Sequence, residues 1–154
     1  MSRYARQMAL PEIGADGQAL LASARIVVVG AGGLGCPVLS YLAGAGVGSI
    51  KAVDPDVVEA SNLHRQPLYS MADIGKPKAE AARRALAGYN PEIQILAEVQ
   101  RLDPANAASV CNGADIVIDA ADSFAVTYTL SDHCRTSRQA FVSASVLGFA
   151  GYAG

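Results

Sequence analysis

The residues best suited to chemistry in this chain are a glycine run, Gly30, Gly32, Gly33 and Gly35, and an acid, Asp54, about 20 residues further on. In the pattern G-x-G-x-x-G the first glycine permits a tight turn, the second lets a phosphate reach the backbone, and the third lets a helix lie close on a sheet. The first N–H groups of that helix then face the anion. An acid at this distance suits a ribose hydroxyl, so the pattern predicts a bound nucleotide. On these residues alone NAD fits as well as ATP.

Three further groups of polar residues flank this unit. Ser61, Asn62, His64, Arg65 and Gln66 crowd into Val57 to Tyr69, just past the second strand. In doubly wound sheets ligands bind at that level, although an ordinary solvated loop would have the same composition. Lys78 falls in the first turn of a helix, where a cation is disfavoured unless an anion compensates it. Asp122 and Ser123 directly follow an apolar strand, and Asp122 could act there as a helix N-cap as readily as a ligand.

The elements that must position these groups are readable from periodicity. Arg25 to Val29 reads as a strand, a helix follows the glycines, and a second strand leads into Asp54. Residues 3 to 23 carry two weak helical patterns, one with Tyr4, Met8 and Leu10 and one with Ala19, Leu20 and Ala22, parted by Pro11 and Gly14. Pro77 to Tyr89 is predicted as a helix with an apolar stripe of Ala79, Ala82, Leu86 and Tyr89, stopped by Asn90-Pro91, with Arg83 and Arg84 on its exposed face. Ile93 to Val99 reads as a strand and Pro104 to Cys111 as a short helix. Ala114 to Ala120 is a strand expected to be buried on both faces. A helix then carries Phe124, Tyr128 and Cys134 to about Ser137, and Gln139 to Ser145 is a further strand. This alternation predicts an α/β fold with a doubly wound, mainly parallel sheet, helices on both faces and a helical segment in front. Val146 to Tyr152 reads as the start of another buried strand without its continuation, so the chain is expected either to be part of a longer domain or to have its partner elements supplied elsewhere.

Composition removes several classes of function. At 154 residues, 51% hydrophobic and 17% charged, the chain fits one folded domain. A net charge of -2, with no basic cluster interleaved with aromatics, argues against nucleic acid as a partner. Ile26 to Ile50 carries no charge, which raises the question of a membrane span, but its glycines and Pro37 argue against one. With no apolar core near the N-terminus to act as a signal peptide, a cytoplasmic protein is expected. Cys36, Cys111 and Cys134 form no C-x-x-C and read as buried, reduced thiols rather than disulfide partners or metal ligands.

Taken together, the motifs resemble those of the ThiF/MoeB/HesA family, adenylyltransferases related to ubiquitin-activating enzymes. The similarity runs through RYxRQ (Arg3 to Gln7), GxGGLG (Gly30 to Gly35), AGVG (Ala45 to Gly48), the acids Asp54 and Asp56, SNLxRQ (Ser61 to Gln66), GxPK (Gly75 to Lys78) and Asp122. These cover almost the whole chain in the expected order.

The resemblance implies a Rossmann-like ATP-binding domain over residues 1 to 154, with the C-terminal part of the family domain missing. The implied reaction is Mg-ATP-dependent adenylation of the C-terminal glycine of a small ubiquitin-like sulfur carrier protein ending in Gly-Gly, in thiamine, molybdopterin or related sulfur transfer. By the same resemblance Gly30, Gly32, Gly33 and Gly35 admit ATP, and Asp54 holds the ribose. Asn62, Arg65 and Lys78 hold the phosphates, with Ser61, Gln66 and Ser123 nearby, and Asp122 binds Mg2+. Arg6 corresponds to an arginine contributed to the partner's site in a homodimer. His64 fills the variable position of SNLxRQ and is expected to lie on the surface. Ser123 stands where several relatives carry asparagine. The family's paired C-x-x-C zinc site and much of its carrier-docking sheet would lie beyond Gly154. Two other functions fit parts of the pattern: an NAD-binding Rossmann oxidoreductase, and a non-catalytic binding module such as the inactive half of a dimer.

Overall fold

A computed structural model describes residues 3–154. A short helix α1 (Ala5–Met8) and a longer α2 (Gly14–Ser23) precede the strand β1 (Arg25–Val29). The chain continues through α3 (Gly35–Ala45), β2 (Ser49–Val53), α4 (Lys78–Tyr89), β3 (Gln94–Glu98), α5 (Ala107–Cys111), β4 (Ile116–Asp119), α6 (Phe124–Ser137), β5 (Ala140–Leu147) and β6 (Ala150–Ala153). The strand order is β3-β2-β1-β4-β5-β6, parallel as far as β5 and antiparallel between β5 and β6. The order reverses beside β1, which opens a crevice between the carboxyl ends of β1 and β4, the usual ligand position in such sheets.

Alternation along β1 divides the core. Ile26 and Val28 face one side with Leu39 and Ala43 of α3 and Ala82 and Leu86 of α4. Val27 and Val29 face the other with Val110 of α5 and Leu130 and Cys134 of α6. Burial on both faces explains why β1 is a continuous run of aliphatic residues. The expected doubly wound sheet is therefore present. Among the described residues no helix is long and apolar enough to cross a membrane, because the uncharged run from Ile26 to Ile50 is cut into strand, turn, helix and strand.

Several boundaries differ from the periodicity. The short helix expected from Pro104 starts at Ala107, because the Asp103 carboxylate accepts the N–H groups of Ala105 and Asn106 and holds a turn there. Pro77 precedes α4 rather than opening it, at ψ 131°.

The larger correction concerns Val146 to Tyr152, which is not a buried strand. Gly148, at φ 61°, turns the chain so that Leu147 pairs with Ala150 in a hairpin. Its apolar side chains lie on the surface, with Leu147 89% exposed.

Candidate functional site at the carboxyl rim of the sheet

The glycine turn joins β1 to α3 at the crevice. Gly30 has φ 97°, and a Cβ there would stand 2.6 Å from the Ala120 carbonyl oxygen at the end of β4. A Cβ on Gly35 would stand 1.9 Å from the Gly30 carbonyl oxygen. These two glycines are demanded by the fold. Gly32 and Gly33 are not, since a Cβ on either would meet only side-chain atoms at ordinary contact distances, Gln66 Nε2 at 3.6 Å and Arg65 Cδ at 3.5 Å. Their bareness faces the crevice. The N–H groups of Gly32, Gly33 and Leu34 donate to no group among the described residues, as befits a helix start left open for an anion.

Asp54 ends β2 and is buried. Its Oδ2 accepts the Ala31 N–H at 2.7 Å and its Oδ1 accepts the Asp56 N–H at 2.8 Å. Burial raises its pKa above the usual 3.8, while those two hydrogen bonds and the nearby Lys78 pull it down. Lys78 is buried at the start of α4, and its Nζ lies 3.2 Å from Asp56 Oδ2. The anion that a cation at this helix end requires is thus supplied here by Asp56.

The 57–69 segment is more ordered than its composition suggested. It contains a short 3-10 turn, Ala60–Asn62, and buries Val58, Gln66 and Tyr69. Ser61 is exposed and donates to Glu59, Asn62 is half-buried and donates to Ser61, and His64 is exposed. Arg65 is exposed, with its aliphatic stem over Gly33. Gln66 is only 2% exposed, and its Oε1 has no hydrogen-bond partner among the described residues. Tyr69 donates its hydroxyl to the Ala31 carbonyl oxygen at 2.7 Å.

On the opposite lip, the chain leaves β4 at Ala120, which lies against Gly30, and two residues later comes the exposed Asp122. Its carboxylate has no partner among the described residues. Ser123 stands at the N-cap position of α6 with no side-chain cap hydrogen bond among the described residues, so neither residue caps that helix. Beneath them lies the fully buried Asp119, which accepts from Ala121 N–H and from the hydroxyls of Thr127 and Ser143.

The rim thus gathers the glycine turn, Asp54, Arg65, Gln66, Lys78 and Asp122. Arg6 is not among them. α1 is docked at the far end of α3, where Gln7 and Gln18 both donate to the Ala45 carbonyl oxygen. The length of α3, roughly 15 Å, separates that end from Gly35. Sequence reasoning missed Tyr69, Asp119 and Asn90. In sequence Asn90 signals only a helix stop, yet it is fully buried and donates to Tyr4 Oη and the Ala43 carbonyl oxygen.

A lone exposed carboxylate fits a cation whose other ligands are phosphate oxygens and water. No cluster of three or more His, Cys, Asp or Glu able to hold a metal occurs among the described residues. A solvent-open concavity of about 400 Å3 between α5 and α6 is lined by residues including Tyr128, Asp132 and His133, and by none of the glycine turn.

The chain is 44% identical over 153 residues to the SAMP-activating enzyme E1 of Haloferax volcanii, covering 99% of this chain and 57% of that protein. It is 48% identical over 132 residues to the sulfur carrier protein adenylyltransferase of Thermus thermophilus, covering 86% and 49%. The chain therefore spans about half the length of the curated relatives it matches. Among solved structures it superposes on MccB of E. coli, seen with a succinimide, with TM-score 0.92 and 31% identity over 100% of this chain and 48% of that one. It also superposes on the E. coli tRNA N6-threonylcarbamoyladenosine dehydratase TcdA in complex with ATP, with TM-score 0.86 and 32% identity over 92% and 58%. The ThiF family model matches residues 4–154, and the chain belongs to the ThiF family.

Proposed function

We propose that residues 1 to 154 form the ATP-binding half of an adenylyltransferase that activates the C-terminal glycine of a ubiquitin-like sulfur carrier. The observation that carries this reading is the bare Gly32-Gly33 surface with its unengaged N–H groups, flanked by Arg65 and Lys78 on one lip and Asp122 on the other. Family membership and the ATP-bound TcdA neighbour support the choice of nucleotide.

Mg-ATP supplies an electrophilic α-phosphorus, which the carrier's carboxylate attacks to give an acyl-adenylate and pyrophosphate. The chain's own residues bind and orient. Gly32 and Gly33 N–H groups face a phosphate, Arg65 closes over it, and Lys78 turns from Asp56 towards the added negative charge. Asp54 holds the ribose with lone pairs not already used by Ala31 and Asp56. Asn62, with Ser61 and Gln66, lines the phosphate side, and Ser123 lies beside Asp122, which would hold the Mg2+ that neutralises phosphate charge. Nothing here needs a covalent enzyme intermediate, so catalysis rests on positioning and charge neutralisation. Arg6, remote from its own glycine turn, is assigned to the site of a second copy in a homodimer.

Calorimetric titration of this chain tests the site. Lys78→Ala and Asp122→Ala should each weaken Mg-ATP binding by about 10- to 100-fold, the usual loss for a charge-assisted contact. Unchanged affinity in both variants would overturn the assignment, and tighter binding of NADH than of ATP would favour a nicotinamide cofactor. ATP-pyrophosphate exchange by the full-length protein with a carrier ending in Gly-Gly tests the reaction.

A further inference from the structure

Tyr69 lies outside every motif that pointed to the nucleotide, yet it reaches the centre of the glycine turn. Its side chain is buried, and its hydroxyl donates to the Ala31 carbonyl oxygen at 2.7 Å across 38 residues of sequence. The Ala31 carbonyl and the Gly32 N–H belong to one planar trans peptide, so they point in opposite directions. A donor that fixes the carbonyl on the protein side aims the N–H away from the protein.

The preceding peptide is fixed as well, because the Ala31 N–H donates to Asp54 Oδ2 at 2.7 Å. Ala31 is therefore gripped through both of its backbone groups, and the Gly32 N–H, with no acceptor among the described residues, is left facing the crevice. Donation into the carbonyl also polarises the peptide and makes its N–H a stronger donor. Burial pushes the Tyr69 phenol well above its usual pKa, so it remains a donor across the working pH range. The 57–69 loop thus does more than carry Arg65, since its last residue sets the geometry of the turn beneath.

We propose that Tyr69 is a positioning residue for phosphate recognition: by holding the Ala31 carbonyl it aims the Gly32 N–H at a phosphate oxygen of the bound nucleotide. This rests on the nucleotide reading of the rim and adds a specific division of labour to it. Adenosine, which has no phosphate, does not use the Gly32 N–H, whereas ATP does.

The test is Tyr69→Phe in the intact chain, which keeps the ring. The Ala31 carbonyl also keeps a second, weaker donor, the Cys36 thiol at 3.4 Å, so the turn is not left with an orphaned acceptor. Titrated with ATP and with adenosine, the variant should bind ATP about 3- to 10-fold more weakly and adenosine within about twofold of wild type. In the 15N spectrum of the wild-type protein, the Gly32 amide proton should move downfield when ATP is added.

Equal losses for ATP and adenosine would mean that Tyr69 only supports the fold, and would overturn the proposal. So would an unchanged ATP affinity, or a Gly32 amide indifferent to ATP in a protein that binds it. Absence of ATP binding by the wild type would overturn the nucleotide reading itself and this inference with it.

Discussion

Alanine placed at Gly35 and at Gly33 should have opposite effects on stability, because the two glycines answer to different demands. A Cβ on Gly35 would lie 1.9 Å from the Gly30 carbonyl oxygen, against an ordinary C···O contact of about 3.3 Å. Gly30 cannot easily retreat, since its N–H donates to the Val53 carbonyl at 2.8 Å and the Ala120 carbonyl presses on its other side. Overpacking against backbone of this kind belongs in the tail of mutational effects, about 3–5 kcal/mol. For a chain of this size that lowers Tm by about 10 °C or more. A Cβ on Gly33 meets Arg65 Cδ at 3.5 Å, and Gly33 is not among the glycines of positive φ. Gly33→Ala should therefore gain about 0.4–1 kcal/mol through a less flexible unfolded chain, raising Tm by about 1–4 °C. The added methyl occupies the surface that a phosphate must approach, so ATP affinity should fall at least about tenfold, equivalent to 1.4 kcal/mol. Thermal unfolding and ATP titration of both variants check this. If Gly33→Ala melted as early as Gly35→Ala, or bound ATP like wild type, the separation of fold glycines from ligand glycines would be wrong.

Two further outcomes are expected. Burial raises the Asp54 pKa above 3.8 in the folded state, so its stabilising contribution is present below 3.8 and is lost as pH climbs through the raised value. The Tm of wild type relative to Asp54→Asn should fall as pH rises past 3.8, and a pH-independent difference would contradict the burial argument. Cys36, Cys111 and Cys134 are buried, and burial pushes the thiols of Cys36 and Cys111 up to about 11. An aromatic disulfide reagent at about pH 8 should find no reactive thiol in the native protein and three after denaturation; rapid native labelling would count against it.

The sheet and the rim were readable because their signals are local. Val27, Val28 and Val29 announce a strand, and the glycine spacing announces the turn that follows. Tyr69, Asn90 and Asp119 were not readable, since each acts by hydrogen bonds to groups brought close only by the fold: Ala31 for Tyr69, Ala43 for Asn90, Thr127 and Ser143 for Asp119. Val146 to Tyr152 misled for a different reason. An uncharged run looks buried in sequence, but Gly148 followed by Phe149 was a two-residue hairpin signal that outweighs hydropathy there. Gln66 belongs to the SNLxRQ motif, but nothing in that motif foretells that its Oε1 is buried without a hydrogen-bond partner among the described residues.

The two ends of α3 are electrically unlike. At its C-terminus the carbonyls of Ala43 and Ala45 accept from Asn90, Gln7 and Gln18, all neutral amides, where lysine or arginine would ordinarily answer the negative end of the dipole. Its N-terminus is flanked by Arg65 and left open to anions. Added salt screens interactions between charges and leaves neutral hydrogen bonds nearly untouched. Ionic strength therefore acts unequally on the two ends of this helix: it can loosen a phosphate from the glycine turn while the neutral amide contacts of Gln7, Gln18 and Asn90 at the other end are little changed.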